Sequence, residues 1–149
     1  MENAVTHPET TMSNLSNAAD LAGRILIAAV FLISGLGKIS GYVATQGYMA
    51  ANGVPGALLP LVIAVEVLGA IAIIVGYRTR IVAAVLAVFT LAAGLLFHNV
   101  PGDQMQQIML LKNVAIAGGF LILFARGAGA WSLDARALNR ITVLKRSST

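Results

Sequence analysis

The sequence predicts an all-α integral membrane protein, an antiparallel four-helix bundle with four transmembrane helices. Three observations carry that prediction. The 149 residues are 58% hydrophobic and only 11% charged, with a mean hydropathy of +0.83, whereas a soluble domain is nearer half apolar and a quarter charged. The apolar residues gather into four stretches, at about 18–37, 56–77, 81–97 and 105–125. Each is about 17–22 residues long, enough to cross a hydrocarbon core of roughly 30 Å at 1.5 Å per residue. Spans of this length must be helical, because lipid offers no partner to backbone N–H and C=O groups.

Residues 1–17 precede the first span. They are polar and carry Glu2 and Glu9 but no Lys or Arg. A secretory signal opens on a basic segment followed by an apolar run, so 1–17 reads as a flexible cytoplasmic tail. The first span then leads into a longer connection, Lys38 to Pro55, in which Ile39, Tyr42, Val43 and Tyr48 suit one side of a short interfacial helix lying against the outer face of the bundle. Asn52-Gly53 followed by Pro55 is a helix stop in which Gly supplies the left-handed residue. Spans two and three are joined by the basic turn Gly76-Tyr77-Arg78-Thr79-Arg80, and spans three and four by His98-Asn99-Val100-Pro101-Gly102-Asp103. The segment 131–149 reads as a basic amphipathic cytoplasmic tail, with Trp131 at the interface, Ser132 as a cap, and Leu133, Ala137, Ile141 and Leu144 towards lipid. Lys145 and Arg146 suit the anionic inner leaflet.

Basic residues set the orientation. Arg78 and Arg80 lie in the second connection, and Arg126, Arg136, Arg140, Lys145 and Arg146 follow the fourth span. The positive-inside rule makes both regions cytoplasmic, so the N- and C-termini are both expected inside. The net charge of +4 then reports topology, not nucleic-acid binding. Small-residue pairs such as Ala83-Ala84 and Gly118-Gly119 allow close helix approach, within the chain or in an oligomer.

Several function classes fall away. The chain has no Cys, which removes thiol redox relays, iron–sulfur clusters and thiolate zinc sites. No Walker motif, HExxH or GxSxG occurs. His98 and Asp103 alone do not make a metal site.

Glu66 is the most informative residue. It stands near the middle of the second span, where an ionisable group costs several kcal/mol unless paired. Lys112 lies in the fourth span, which runs in the same direction. Counting from the span starts puts Glu66 about 15 Å deep and Lys112 about 10 Å deep, within reach of one another. A buried Glu66–Lys112 ion pair is therefore expected, with Arg24 as the competing partner. The pair serves either packing or a site. Lys38, His98, Lys112, Asn99 and Asn113 all fall in the outer half of the bundle, and with Glu66 they form a candidate ligand-binding cluster suited to an anion, a quinone carbonyl or a phenolate.

The order of these residues resembles the DoxX family of small four-helix bacterial membrane proteins. The resemblance spans about residues 22–136. Its carriers are Arg24, Gly35 and Lys38 in RILIAAVFLISGLGK, then YMAANGVP, then Glu66 and the basic turn in EVLGAIAIIVGYRTR, then Phe97-His98, and finally KNVAIAGGFLIL and GAGAWSLDAR. It implies a transmembrane domain over 18–130 and location in the bacterial cytoplasmic (inner) membrane. The family includes proteins similar to the small membrane subunit of a thiosulfate:quinone oxidoreductase, and others associated with membrane redox complexes or resistance to quinones and aromatic compounds. A quinone or phenolic ligand and a partner redox protein are the expectations that follow. A non-enzymatic membrane scaffold or small permeability element is the alternative.

Overall fold

The computed structural model describes the backbone of residues 8–147 and the side chains of residues 12–140. Residues 1–7, and the Ile141, Leu144, Lys145 and Arg146 side chains expected on the two faces of the last helix, lie outside the described residues. Six α-helices follow one another: α1 (Pro8–Ser40), α2 (Tyr42–Ala51), α3 (Leu59–Val75), α4 (Thr79–His98), α5 (Gln104–Arg126) and α6 (Leu133–Ser147), with a 3-10 turn, Gly56–Leu58, leading into α3. Among the described residues four segments are long and apolar enough to cross a membrane: Met12–Ser40, Gly56–Val75, Thr79–His98 and Gln104–Arg126.

Helix α1 differs from expectation at its start. Its 33 residues correspond to about 50 Å, more than a hydrocarbon core requires. Residues 8–17, expected within a flexible tail, are its first turns. Pro8 suits a first helical turn, where no intrahelical N–H bond is lost, and no Gly interrupts the helix before Gly23.

The spanning helices form an antiparallel ring. α4 and α5 pack along their lengths as a hairpin, α1 packs against α3, and α3 against α4. The ring closes between α1 and α5, where Phe31 and Phe120 meet edge-to-face with centroids 5.3 Å apart. The core is thin and built from small residues beside a few large ones, including Ala28, Ala70, Ile73, Ala83, Leu86 and Ala117. Large apolar side chains point outward instead: Leu26, Ile33, Leu68, Val88 and Leu111 are each between 65% and 72% exposed. A surface of that kind is an aggregation liability in water and the ordinary state in lipid.

The turns explain the two ends of the ring. Gly53 (φ +75°) closes α2 as expected, and the Val54 N–H donates back to the Met49 carbonyl at 2.9 Å. At the opposite end, called here the basic end, Gly76 closes α3 in the left-handed region. A side chain at Gly76 would run into Arg24 and Ser132. Arg24 is 2% exposed. Its guanidinium donates to the carbonyls of Ile73 (3.4 Å), Ile74 (3.2 Å) and Trp131 (2.6 Å). It therefore satisfies the last-turn carbonyls of α3, which helix geometry leaves without partners, and ties α1 to the 127–132 connection.

The same end is tied a second time by α6. The Ser132 hydroxyl accepts from the Ala135 N–H at 3.1 Å and so caps α6, as expected. The Asp134 carboxylate accepts from the backbone N–H groups of Arg78 (2.8 Å) and Thr79 (2.9 Å). Arg78, the residue preceding α4, has φ 45° and supplies no side-chain cap of its own, so a residue 55 positions away caps that helix.

Candidate functional site

Helices α1 and α3 approach closely at Gly35. A Cβ there would stand 2.7 Å from Val67 Cγ2 and 3.2 Å from Glu66 Cβ. This close approach places Glu66 beside the last two turns of α1. Lys38 Nζ donates to both carboxylate oxygens of Glu66 at 2.9 Å and to Ser34 Oγ at 2.6 Å. The Ser34 hydroxyl in turn donates to Glu66 Oε1 at 3.3 Å. Ser34 and Lys38 are four residues apart and share a helix face. The result is a closed triangle of charge-assisted hydrogen bonds, with the Glu66 side chain 6% and the Lys38 side chain 25% exposed.

Glu66 is thus paired within the bundle, but with neither expected partner. Lys112 is exposed on α5, and Arg24 is occupied at the basic end, 14 residues and about 20 Å along α1 from Lys38. Depth arithmetic placed Glu66 and Lys112 at similar heights, but height says nothing about position around the ring. α3 lies against α1 and α4, and the cation available to it comes from α1.

The triangle forms part of the wall of a cavity of about 480 Å³ between α2 and the ends of α1, α3 and α4. Among the expected cluster, Lys38, Glu66, His98 and Asn113 line this cavity, while Lys112 and Asn99 do not. The helical step from 112 to 113 turns α5 by about 100°, so of these neighbours only Asn113 faces the ring. Gly94 allows it: a Cβ at 94 would stand 3.0 Å from Asn113 Cβ. Most of the remaining lining is apolar.

Helix α2 covers the cavity with only part of the face expected, Tyr48 turning inward and Val43 outward. Met49 is buried, Thr45 and Tyr48 line the cavity, and Val43 is 81% exposed. Tyr48 stacks on Phe97 of α4, centroids 5.4 Å apart, which fastens the cover to the bundle. His98 Nδ1 lies 2.8 Å from Gln106 Oε1. With that carbonyl accepting, Nδ1 is the donor, and the tautomer this selects presents Nε2 as an acceptor. Gln106 is itself positioned in the first turn of α5, where Asp103 caps the helix through Met105 N–H (2.9 Å) and Gln106 N–H (3.1 Å). The roles of Gln106 and Asp103 were not anticipated. Asp-x-x-Gln before an apolar run is the sequence signal that could have shown them. Among the described residues no group of three or more His, Cys, Asp or Glu side chains stands together to hold a metal ion.

Four antiparallel spans around a thin core, with a buried ion pair beside a covered cavity at one end, define a small multi-pass membrane protein. The DoxX family profile matches residues 19–99, more than half of the chain, and the chain belongs to this family. It is 46% identical over 129 residues to Inner membrane protein YqjF of Escherichia coli (strain K12), an overlap of 87% of this chain and 98% of the relative. It is 40% identical over 123 residues to Inner membrane protein YphA of the same organism, covering 78% of this chain and 88% of that one. No solved structure matches it. The four spans and these relatives make it a multi-pass protein of the bacterial inner membrane.

Proposed function

We propose that the cavity beneath α2 binds an aromatic ligand of the quinone or phenol class, and that the chain serves as the ligand-binding membrane subunit of a quinone-linked oxidoreductase or of resistance to such compounds. The observation that carries this is the Lys38–Glu66 pair, held at 2.9 Å in the wall of an otherwise largely apolar cavity of about 480 Å³. That volume falls within the range of small-molecule pockets, and convergent polar groups in an apolar lining are their usual chemistry. Lys38 supplies a cation, and a donor to a quinone carbonyl or a phenolate once it exchanges the Ser34 hydroxyl for the ligand. His98 Nε2 supplies an acceptor for a phenolic hydroxyl, and Asn113 supplies both. Glu66 holds the Lys38 ammonium in place through both carboxylate oxygens. The Tyr48–Phe97 stack offers an aromatic wall.

On the positive-inside rule we assign the basic end to the cytoplasm. Eight of the ten Lys and Arg residues, all but Lys38 and Lys112, belong to that end, as the positive-inside rule requires of the inner side. Both termini are then cytoplasmic and the cavity opens near the outer leaflet.

The second reading, a non-enzymatic scaffold or permeability element, draws support from the closure of the triangle. Ser34, Lys38 and Glu66 satisfy one another without a ligand. The two readings separate on one experiment. The protein is purified in mild detergent, extracted lipophilic molecules are identified by mass spectrometry, and the sample is titrated with a short-chain ubiquinone while thermal stability is followed. Co-purified quinone, or saturable stabilisation that disappears in a folded Lys38→Met/Glu66→Leu variant, is the expected result. Neither signal in the wild type leaves the scaffold.

A further inference from the structure

We propose that the basic end holds one anionic glycerophospholipid, its phosphate among Arg78, Arg80 and Arg126 and an acyl chain along the groove between α3 and α4. Two cavities meet there. The first, about 720 Å³, is lined by those three arginines, by Asp134 and by the backbone of 127–129. The second, about 490 Å³, is an apolar groove running from Tyr77 and Arg78 past Ile81 and Val85 to Ala64. Arg78 and Ile81 line both, so a charged pocket at the membrane boundary opens onto a strip of hydrocarbon-facing surface.

The charge in the first cavity is not cancelled. Three guanidinium groups and one carboxylate line it, a net charge of +2; a second carboxylate, Asp20, lies behind Gly129 and is offset by the buried Arg24 guanidinium. Asp134 is already engaged by the backbone N–H groups of Arg78 and Thr79. Among the described residues no side chain or carbonyl accepts a hydrogen bond from the guanidinium of Arg78, Arg80 or Arg126. Arg80 nonetheless reaches across to the end of α5: a Cβ at Gly127 would stand 3.6 Å from Arg80 Nε. Gly127, at φ +84°, is a residue that leaves this floor open. Clustered guanidinium forks with donors to spare suit a phosphodiester.

The groove suits the other part of the molecule. From Val75, the last residue of α3, to Ala64 is a rise of about 17 Å, the depth of one leaflet of a roughly 30 Å core. A phosphate at the mouth and a chain of that reach are one lipid. The net positive pocket selects against a headgroup carrying its own ammonium, so phosphatidylglycerol or cardiolipin fits and phosphatidylethanolamine does not. This site is at the opposite end from the cavity beneath α2 and stands independently of what that cavity binds.

The test uses the full chain, delipidated in detergent, with binding read by native mass spectrometry and by the shift in melting temperature. The probes are phosphatidylglycerol, phosphatidylethanolamine and glycerol 3-phosphate. Phosphatidylglycerol should bind about tenfold more tightly than phosphatidylethanolamine, and glycerol 3-phosphate should bind far more weakly than either lipid. Arg80→Gln and Arg126→Gln should each weaken phosphatidylglycerol about fivefold. Arg136→Gln, an equal charge loss on an exposed residue outside the cavity, should leave affinity unchanged. Equal affinity for the two lipids overturns the site, as does an equal loss from Arg136→Gln or full affinity in the Arg80→Gln/Arg126→Gln double variant. Glycerol 3-phosphate binding as tightly as phosphatidylglycerol overturns the lipid and leaves a soluble phosphate as ligand.

Discussion

At the scale of the residue, Glu66 dominates. Glu66→Ala leaves the Lys38 ammonium without its carboxylate, and breaking a buried pair costs on the order of 3–5 kcal/mol. Lys38 is a quarter exposed and recruits water, so the lower end of that range is expected, read as a fall in melting temperature in detergent. Lys38→Met combined with Glu66→Leu removes both charges and should recover most of the loss. A double variant no more stable than Glu66→Ala would show that the triangle contributes more than the satisfaction of its own charges. Gly35 makes the pair reachable. Gly35→Ala adds a methyl group 2.7 Å from Val67 Cγ2, an overpacking that costs about 1–3 kcal/mol. Gly23→Ala, on the same helix with nothing within 4 Å of the added carbon, should instead stabilise by about 0.5–1 kcal/mol. Equal effects at the two glycines would contradict the close approach of α1 and α3. The sequence makes Glu66 conspicuous because a carboxylate inside an apolar run has no other explanation than a partner or a function. It does not reveal Lys38 as that partner, because Lys38 stands at the margin of its span and Lys112 inside one, and hydropathy ranks the second as more anomalous.

At the scale of the element, spanning helices are legible and their fastenings are not. The spans follow from length and hydropathy, and the stops at Gly53 and Gly76 fall on glycine, which adopts positive φ without steric cost. The capping of α4 by Asp134 crosses 55 residues, and no local pattern encodes it. Asp134 lies outside the spans. Burial pushes its carboxyl upward, but hydrogen bonds from Thr79 and Arg78 and the charge of Arg24 outweigh that and hold it below the ordinary value of 3.8. A depressed carboxylate contributes stability that is present above its unfolded-state value and is lost as pH falls through its folded-state value. Asp134→Ala should therefore lower stability by about 1–2 kcal/mol at pH 7. The gap between variant and wild type should hold down to about pH 5 and close only at more acidic pH. Melting curves of the two proteins from pH 7 to pH 3 check this, and a gap that grew on acidification would reverse the sign assigned here.

At the scale of the whole molecule, the asymmetry of the two ends is the organising feature. One end holds Arg24, the basic turn and α6, bound together by Ser132 and Asp134. The other holds α2 over the cavity. An inside-out distribution of apolar residues fixes that the bundle spans a bilayer but not which way it points, since lipid treats both ends alike. The proposed orientation rests on charge: cytoplasmic retention acts on Lys and Arg flanking the spans, and all but two of the ten belong to the segments at one end. A phosphatase reporter fused after Thr149, active only when exported, should be inactive, and a reporter active only in the cytoplasm should be active there. Inserting the same reporters after Asn52, at the C-terminus of α2, should give the opposite pair. The cause is tested by neutralising Arg78, Arg80, Arg126, Arg136 and Arg140 together while adding lysines beside Asn52. If those arginines set the orientation, a substantial fraction of this variant inverts and both reporter pairs exchange. An export-active reporter at Thr149 in the wild type would place the cavity on the cytoplasmic side and move its source of ligand to the inner leaflet.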